Sequence, residues 1–178
     1  MADRRQRACL VCGKSMTHRV ATDEQPYHFD GSGLESVFLI GIDYYECPNG
    51  HRSADIPALE QLLTLIARDV VEKNEALNGS EVRFLRKRLG KKALEFAKEV
   101  GLDPATLSRI ENNKQDASES TDKLIRLHYA LSSGDPVLLE EIRKALAEIL
   151  TGWKQEKTET KVVAKITNHA WETELIAA

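Results

Sequence analysis

The sequence predicts an α+β protein, mostly α: a small metal-held β region, then a helical domain, then a C-terminal helix with a strand. Three observations predict it. Every cysteine in the chain lies in one of two short clusters, Cys9-x2-Cys12-Gly13 and Cys47-Pro48-Asn49-Gly50-His51. The stretch between them is rich in aromatic and branched residues with a glycine-rich turn in the middle. From Pro57 onward apolar residues recur at steps of three and four, interrupted by helix start and stop signals.

The two clusters are spaced like a four-ligand structural zinc site. Each pair sits on a tight turn, and the ion closes the long segment between them. Gly13 and Gly50 lie where the backbone must turn back toward the metal. Cys9, Cys12 and Cys47 are three ligands, and spacing favours His51 as the fourth, with His18 and His28 as alternatives. Four protein ligands leave no open position for water, so one structural Zn2+ per chain is expected and catalytic metal chemistry is not. Three is an odd number for disulfides, and no export signal is visible at the N-terminus; a reduced, cytoplasmic setting is expected.

Within the head, Tyr27–Phe29, Ser36–Ile40 and Ile42–Tyr45 read as strands, and Asp30-Gly31-Ser32-Gly33 as the turn between the first two. A small antiparallel sheet should carry the second ligand pair. Pro57 then opens a helix whose buried face is Leu59, Leu62, Leu63, Ile66 and Val70. Asn74–Gly79 reads as a linker.

From Ser80, taken as an N-cap, a first helix uses Val82, Leu85 and Leu89 and ends at Gly90. A second spans about Lys92 to Val100 and stops at Gly101. Asp103-Pro104 starts a third, to Asn112, and a fourth begins near Ser120 with Leu124, Leu127, Tyr129 or His128, and Leu131 facing inward. Two short helices joined by a glycine-containing turn, with others packed beneath, form a helix-turn-helix arrangement. Asp135-Pro136 opens a further helix with the stripe Leu138, Leu139, Ile142, Leu146, Ile149, Leu150 and Trp153, suited to capping the helical core or to a dimer contact. Lys161–Thr167 reads as a strand, with Trp171 beyond it. A lone strand is unstable in water, so it must pair with the head sheet, its twofold mate or a partner chain, or else stay disordered.

Composition sets bounds. With 178 residues and a net charge of −3, the chain fits one or two small domains, and no apolar run is long enough to cross a bilayer. The basic residues are unevenly spread. Between Ser80 and Lys114 nine lysines and arginines face five acids, which is compatible with a polyanionic partner despite the mild overall acidity. No nucleophile–base pair and no helical His/Glu constellation is present, so the chain reads as a non-enzyme.

The text from Val82-Arg83-Phe84-Leu85 through Glu95-Phe96-Ala97, Val100-Gly101-Leu102 and Thr106-Leu107-Ser108-Arg109-Ile110-Glu111-Asn112 resembles the Xre/Cro-type helix-turn-helix. The head, with Cys9-Leu10-Val11-Cys12-Gly13, Tyr27-His28-Phe29-Asp30-Gly31 and Tyr45-Glu46-Cys47-Pro48, resembles a YgiT-type zinc finger. In this order the two resemble the MqsA/YgiT family of antitoxins and related regulators, over about Ala8 to Leu131. The resemblance implies a homodimer that binds a palindromic operator in double-stranded DNA, usually its own promoter, and a zinc head able to grip a small ribonuclease-type toxin. It places the third helix of the helical domain in the major groove. There Ala105, Thr106 and Ser108 would offer backbone and methyl contacts, and Arg109 would pair with guanine, while Arg86, Lys91, Lys92 and Lys114 would meet phosphates.

Two departures stand out. The family's second pair normally closes with a cysteine at shorter spacing, where this chain has His51. Its second helix commonly starts with a glutamine, where this chain has Ala93 after Lys92. The expected organisation is residues 1–56 as zinc-binding head, 57–79 as connecting helix and linker, 80–133 as helix-turn-helix, and 134–178 as C-terminal helix and strand for dimerisation or partner contact. Function then divides between an antitoxin repressor, a free-standing regulator without a toxin, and an interaction adaptor that has lost DNA binding.

Overall fold

The structure is a computed structural model and describes residues 7–134, 139–140, 143–144, 160–167 and 170–177. Among the described residues the elements with defined ends follow in the order β1 Thr17–Val20, β2 Tyr27–His28, β3 Val37–Ile40, β4 Asp43–Glu46, β5 Arg52–Ala54, α1 Leu59–Glu72, α2 Gly79–Arg88, α3 Ala93–Glu99, α4 Pro104–Glu111, α5 Glu119–Ser133, β6 Thr160–Thr167 and β7 Ala170–Ala177. The α+β class read from the sequence is the one observed.

The head contains two sheets rather than one. β1, β4 and β5 form an antiparallel sheet in the order β1-β4-β5, and the turn between β4 and β5 is Cys47–His51. The second sheet runs β2-β3-β6-β7. In it β6 lies parallel to β3, with Leu39 opposite Ala164, while β7 returns antiparallel beside β6 with Ile166 opposite Trp171. Of the four fates open to the C-terminal strand, the structure selects the head sheet. It also adds β7, a strand the sequence analysis did not anticipate.

α1 seals one face of this second sheet, lying against β6 and β7 and meeting α2 as well. Leu62, Ile66, Val70 and Val71 are buried along it, each apolar side chain contributing roughly 1.5–3 kcal/mol if fully removed from water. Leu59, expected inside, is instead 41% exposed. Trp171 is buried and its indole N–H donates to the Pro57 carbonyl at 2.8 Å, so the hairpin is pinned to the residues that precede α1. The buried side chains of head, α1 and helical domain make one continuous cluster.

The helical domain departs from expectation at two points. The N-cap of α2 is Asn78, not Ser80. Its side chain accepts from Glu81 N at 3.0 Å while the Glu81 carboxylate accepts from Asn78 N at 2.7 Å, a reciprocal capping box. Gly79 therefore belongs to the helix and not to a linker. The second point is the phase of α5, whose Leu124, Leu127 and Leu131 are 43%, 39% and 62% exposed. Its buried face is Asp122, Ile125, Arg126, Tyr129 and Ala130. Tyr129 is inside as expected, but two charged residues share that face, and apolar spacing alone puts the three leucines inside in their place.

Those two charges make the joint between α1 and the helical domain. Arg126 is 1% exposed. Its Nε and Nη2 donate to Asp122, its Nη1 to the carbonyls of Val71 and Lys73 at 2.6 and 2.8 Å, and its Nη2 to Glu75 O at 2.6 Å. A side chain of α5 thus satisfies the carbonyls at the C-terminal end of α1 and in the segment after it, which otherwise lack partners. Lys73 and Glu81 add a second buried ion pair at 2.8 Å across the same joint. The expected C-terminal helix stripe from Leu138 to Trp153 falls mainly outside the described residues; of it, 139–140 and 143–144 are helical.

Candidate metal centre and nucleic-acid interface

Two short turns bring the metal-type side chains together. In the first, Gly13 N donates to Cys9 O and Cys9 N to Lys14 O, both at 2.8 Å, folding Cys9–Lys14 into a knuckle. In the second, Gly50 N donates to Cys47 O at 2.9 Å and Cys47 N to His51 O at 3.0 Å. Gly13 and Gly50 have φ of +70° and +79°, the left-handed region in which a Cβ is costly. Lys14 Nζ donates to Asn49 Oδ1 at 2.9 Å and joins the turns.

The donor atoms of Cys9, Cys12, Cys47 and His51 all lie within 4.8 Å of one another. Cys12 Sγ is 3.7 Å from Cys47 Sγ, and His51 Nδ1 is 3.4 Å from Cys47 Sγ and 3.6 Å from Cys9 Sγ. Tetrahedral zinc, with Zn–S about 2.3 Å and Zn–N about 2.0 Å, requires S···S edges of about 3.8 Å and S···N edges of about 3.5 Å. The four residues fit that ion and are close enough to bind one. His18 and His28 are elsewhere: His18 Nε2 pairs with Asp43 at 2.7 Å, and His28 lies between Asp30 and the Glu35 carbonyl.

The electrostatics favour a cation. The backbone N–H groups of Cys12 and Val11, with neighbouring thiols, bring the Cys9 thiol down to about 6 despite its burial. For Cys12 the Lys14 N–H also favours the thiolate, but burial and the adjacent Cys9 and Cys47 outweigh it and push the thiol up. Three sulfurs in one small volume cannot all carry charge unaided. A divalent cation removes that conflict.

The second site is the outer surface of the helical domain. Asp103 caps α4, accepting from Ala105 N at 2.9 Å and Thr106 N at 3.2 Å, with Pro104 in the first turn. These amides are therefore occupied, and Ala105 and Thr106 present side chains rather than backbone donors. Ala105, Ser108, Arg109 and Lys114 are exposed, and Thr106 is half-buried. Arg109 Nη2 donates to Thr106 Oγ1 at 3.0 Å.

α4 is held in place from α2. Arg86 donates to both oxygens of buried Glu111, at 2.6 and 2.9 Å, and to Lys91 O at 2.9 Å. That carboxylate holds the Arg86 guanidinium more firmly protonated, and its side chain is only 12% exposed. Arg86 thus stands differently from a phosphate-facing residue: in the structure it is an internal brace. Arg83 donates to Glu111 O at 2.6 Å and Asn112 Oδ1 at 2.9 Å. Lys91 Nζ is shared between Glu99 at 2.7 Å and Glu95 at 3.0 Å, which raises its pKa, while Lys92 is exposed at the start of α3. At the opposite end Gly79 N donates to Asn113 Oδ1 at 2.8 Å. A Cβ on Gly79 would lie 2.1 Å from Ile110 O, so α2 and α4 cross where only glycine fits. Glu111 is structural, as its sequence context suggests, whereas the roles of Gly79 and Arg83 are visible only in the fold. The Glu81 capping-box partner three residues after Asn78 was the available signal that the helix starts at Gly79.

No helix among the described residues is long and apolar enough to cross a membrane. No curated protein and no solved structure matches the chain. Residues 82–125, from α2 into α5, match the family model described as helix-turn-helix. The segment that the Arg83 and Arg86 contacts hold together is thus similar to a helix-turn-helix of the Xre/Cro-like type, which supports a DNA-binding transcription regulator.

Proposed function

We propose that the protein is a sequence-specific repressor that binds a palindromic operator as a homodimer, with one structural zinc ion held by Cys9, Cys12, Cys47 and His51. We further read it as the antitoxin of a type II pair that represses its own operon in the cytoplasm. The observation that carries the DNA-binding reading is the α4 surface: a helix braced from behind by Arg83 and Arg86, with Arg109 exposed on its outer side. Ala105, Thr106, Ser108 and Arg109 would face base edges, and Lys92 and Lys114 would meet phosphates, with Lys91 contributing when it leaves Glu95 and Glu99. The bundle from Asn78 to Ser133 would be the reading unit. Residues 1–56 together with the 160–177 hairpin would form the partner-facing head, and α1 would join the two.

The zinc ion is assigned a structural role because four protein ligands complete its shell. The antitoxin reading is supported by a cysteine-knuckle head followed by a helix-turn-helix in one short chain. Expression from the native operon with an affinity tag, followed by mass spectrometry of what co-purifies, tests it. A stoichiometric small protein from the neighbouring gene, toxic when expressed alone, is the expected result. Recovery of the homodimer alone, still bound to its promoter, would favour a free-standing regulator. Failure to bind any promoter DNA would refute the repressor.

A further inference from the structure

The brace behind α4 also removes most candidates for base reading. Glu111 is buried on Arg86, and the Asn112 amide donates to Ser108 O at 2.7 Å while its carbonyl accepts from Arg83. Among the side chains of α4 and its C-cap, Arg109 alone remains long, polar and exposed.

We propose that Thr106 and Arg109 act as one reading unit for a single guanine in each half-site, with Thr106 as the positioning residue. The proposal rests on the DNA-binding reading above. Thr106 Oγ1 accepts one N–H of Nη2, which leaves four guanidinium donors, and a bidentate contact to guanine O6 and N7 uses two of them. An unheld arginine would have to lose its rotamer freedom on binding; here the contact one helical turn earlier restrains it beforehand. The Thr106 backbone is in turn fixed by Asp103. Of the side chains that face base edges, Arg109 is the one able to make a bidentate contact, so one G·C pair dominates half-site specificity.

The test uses the full-length protein and a library of random duplexes. After selection, affinity is measured for the enriched duplex, for versions with each G·C replaced by A·T, and for 7-deazaguanine at the dominant position, which lacks the N7 acceptor. One dominant G·C pair per half-site is expected, with its preference lost in Arg109→Ala. Thr106→Val keeps the shape but not the acceptor, and should lower about tenfold the ratio of affinity for the G·C duplex to that for its A·T version. Thr106→Ser should restore it. Full preference in Thr106→Val, with loss in Arg109→Ala, would overturn the positioning role alone. Enrichment of no duplex by the wild type, or an unchanged preference in Arg109→Ala, would overturn the DNA-reading assignment with it.

Discussion

The head and the helical domain are stabilised by opposite means. The helical domain is locally specified: Asn78 with Glu81, Asp103 with Pro104, and Ser118 each start a helix within three residues of themselves. The head is assembled from distant parts of the chain. Its metal-type cluster joins residues 9–12 to 47–51, and its second sheet joins β3 to β6, which starts more than a hundred residues later. Local signals make a domain easy to recognise from sequence and able to form early. A head built from remote segments closes only where those segments meet, at the metal-type cluster and at the C-terminal hairpin.

The largest expected effect separates the two regions outright. Metal removal, or Cys9→Ser or Cys47→Ser, should unfold the head sheet while α2–α5 keep their helical signal, because the loss is on the scale of zinc-binding energy, about 10 kcal/mol or more. Amide exchange read segment by segment checks this; uniform loss of protection would show that the two regions are one cooperative unit. Next is the joint. Arg126→Ala leaves Asp122 buried without its partner and three carbonyls unsatisfied, and should cost about 3–5 kcal/mol in a denaturant titration. A cost within 1 kcal/mol would mean that the joint is carried by packing alone.

Inside the helical domain Gly79→Ala should cost about 3 kcal/mol, since the new methyl meets the Ile110 carbonyl and not a movable side chain. It should leave the zinc content at one per chain, measured by elemental analysis. The smallest effect probes the hairpin. Burial raises the pKa of Asp69 on α1 despite a hydrogen bond from Thr173 on β7. A carboxyl whose folded pKa exceeds its unfolded value destabilises the fold above the folded pKa, and the penalty disappears below the unfolded one. Asp69→Asn should therefore raise Tm slightly at pH 7, by about 1–3 °C, and show no gain near pH 3. An equal gain at both pH values would show that ionisation is not the cause.

Which parts of the molecule were legible follows from the same contrast. The cysteine and histidine spacing announced the metal-type cluster, because two short turns need only local glycine geometry to aim their ligands. The helix start at Asp103 was equally plain, whereas the fourth helix was expected to begin near Ser120 and is capped two residues earlier by Ser118. The α5 face was only partly legible, because burial there includes Asp122 and Arg126, whose partners lie on α1 and in the segment after it and have no trace in the periodicity of α5. Arg86 reads in sequence as one member of a basic run; only the fold sets Glu111 against it.

By itself the sequence determined the α+β class, the three cysteines of the cluster and the succession of helices. These rest on interactions between residues a few positions apart. Tertiary structure alone decided which strand the C-terminal segment joins, which histidine completes the cluster, and which cations are internal braces. Each of those is a contact between segments far apart in the chain, and such a contact leaves its geometry in the fold and not in the local spacing of residues.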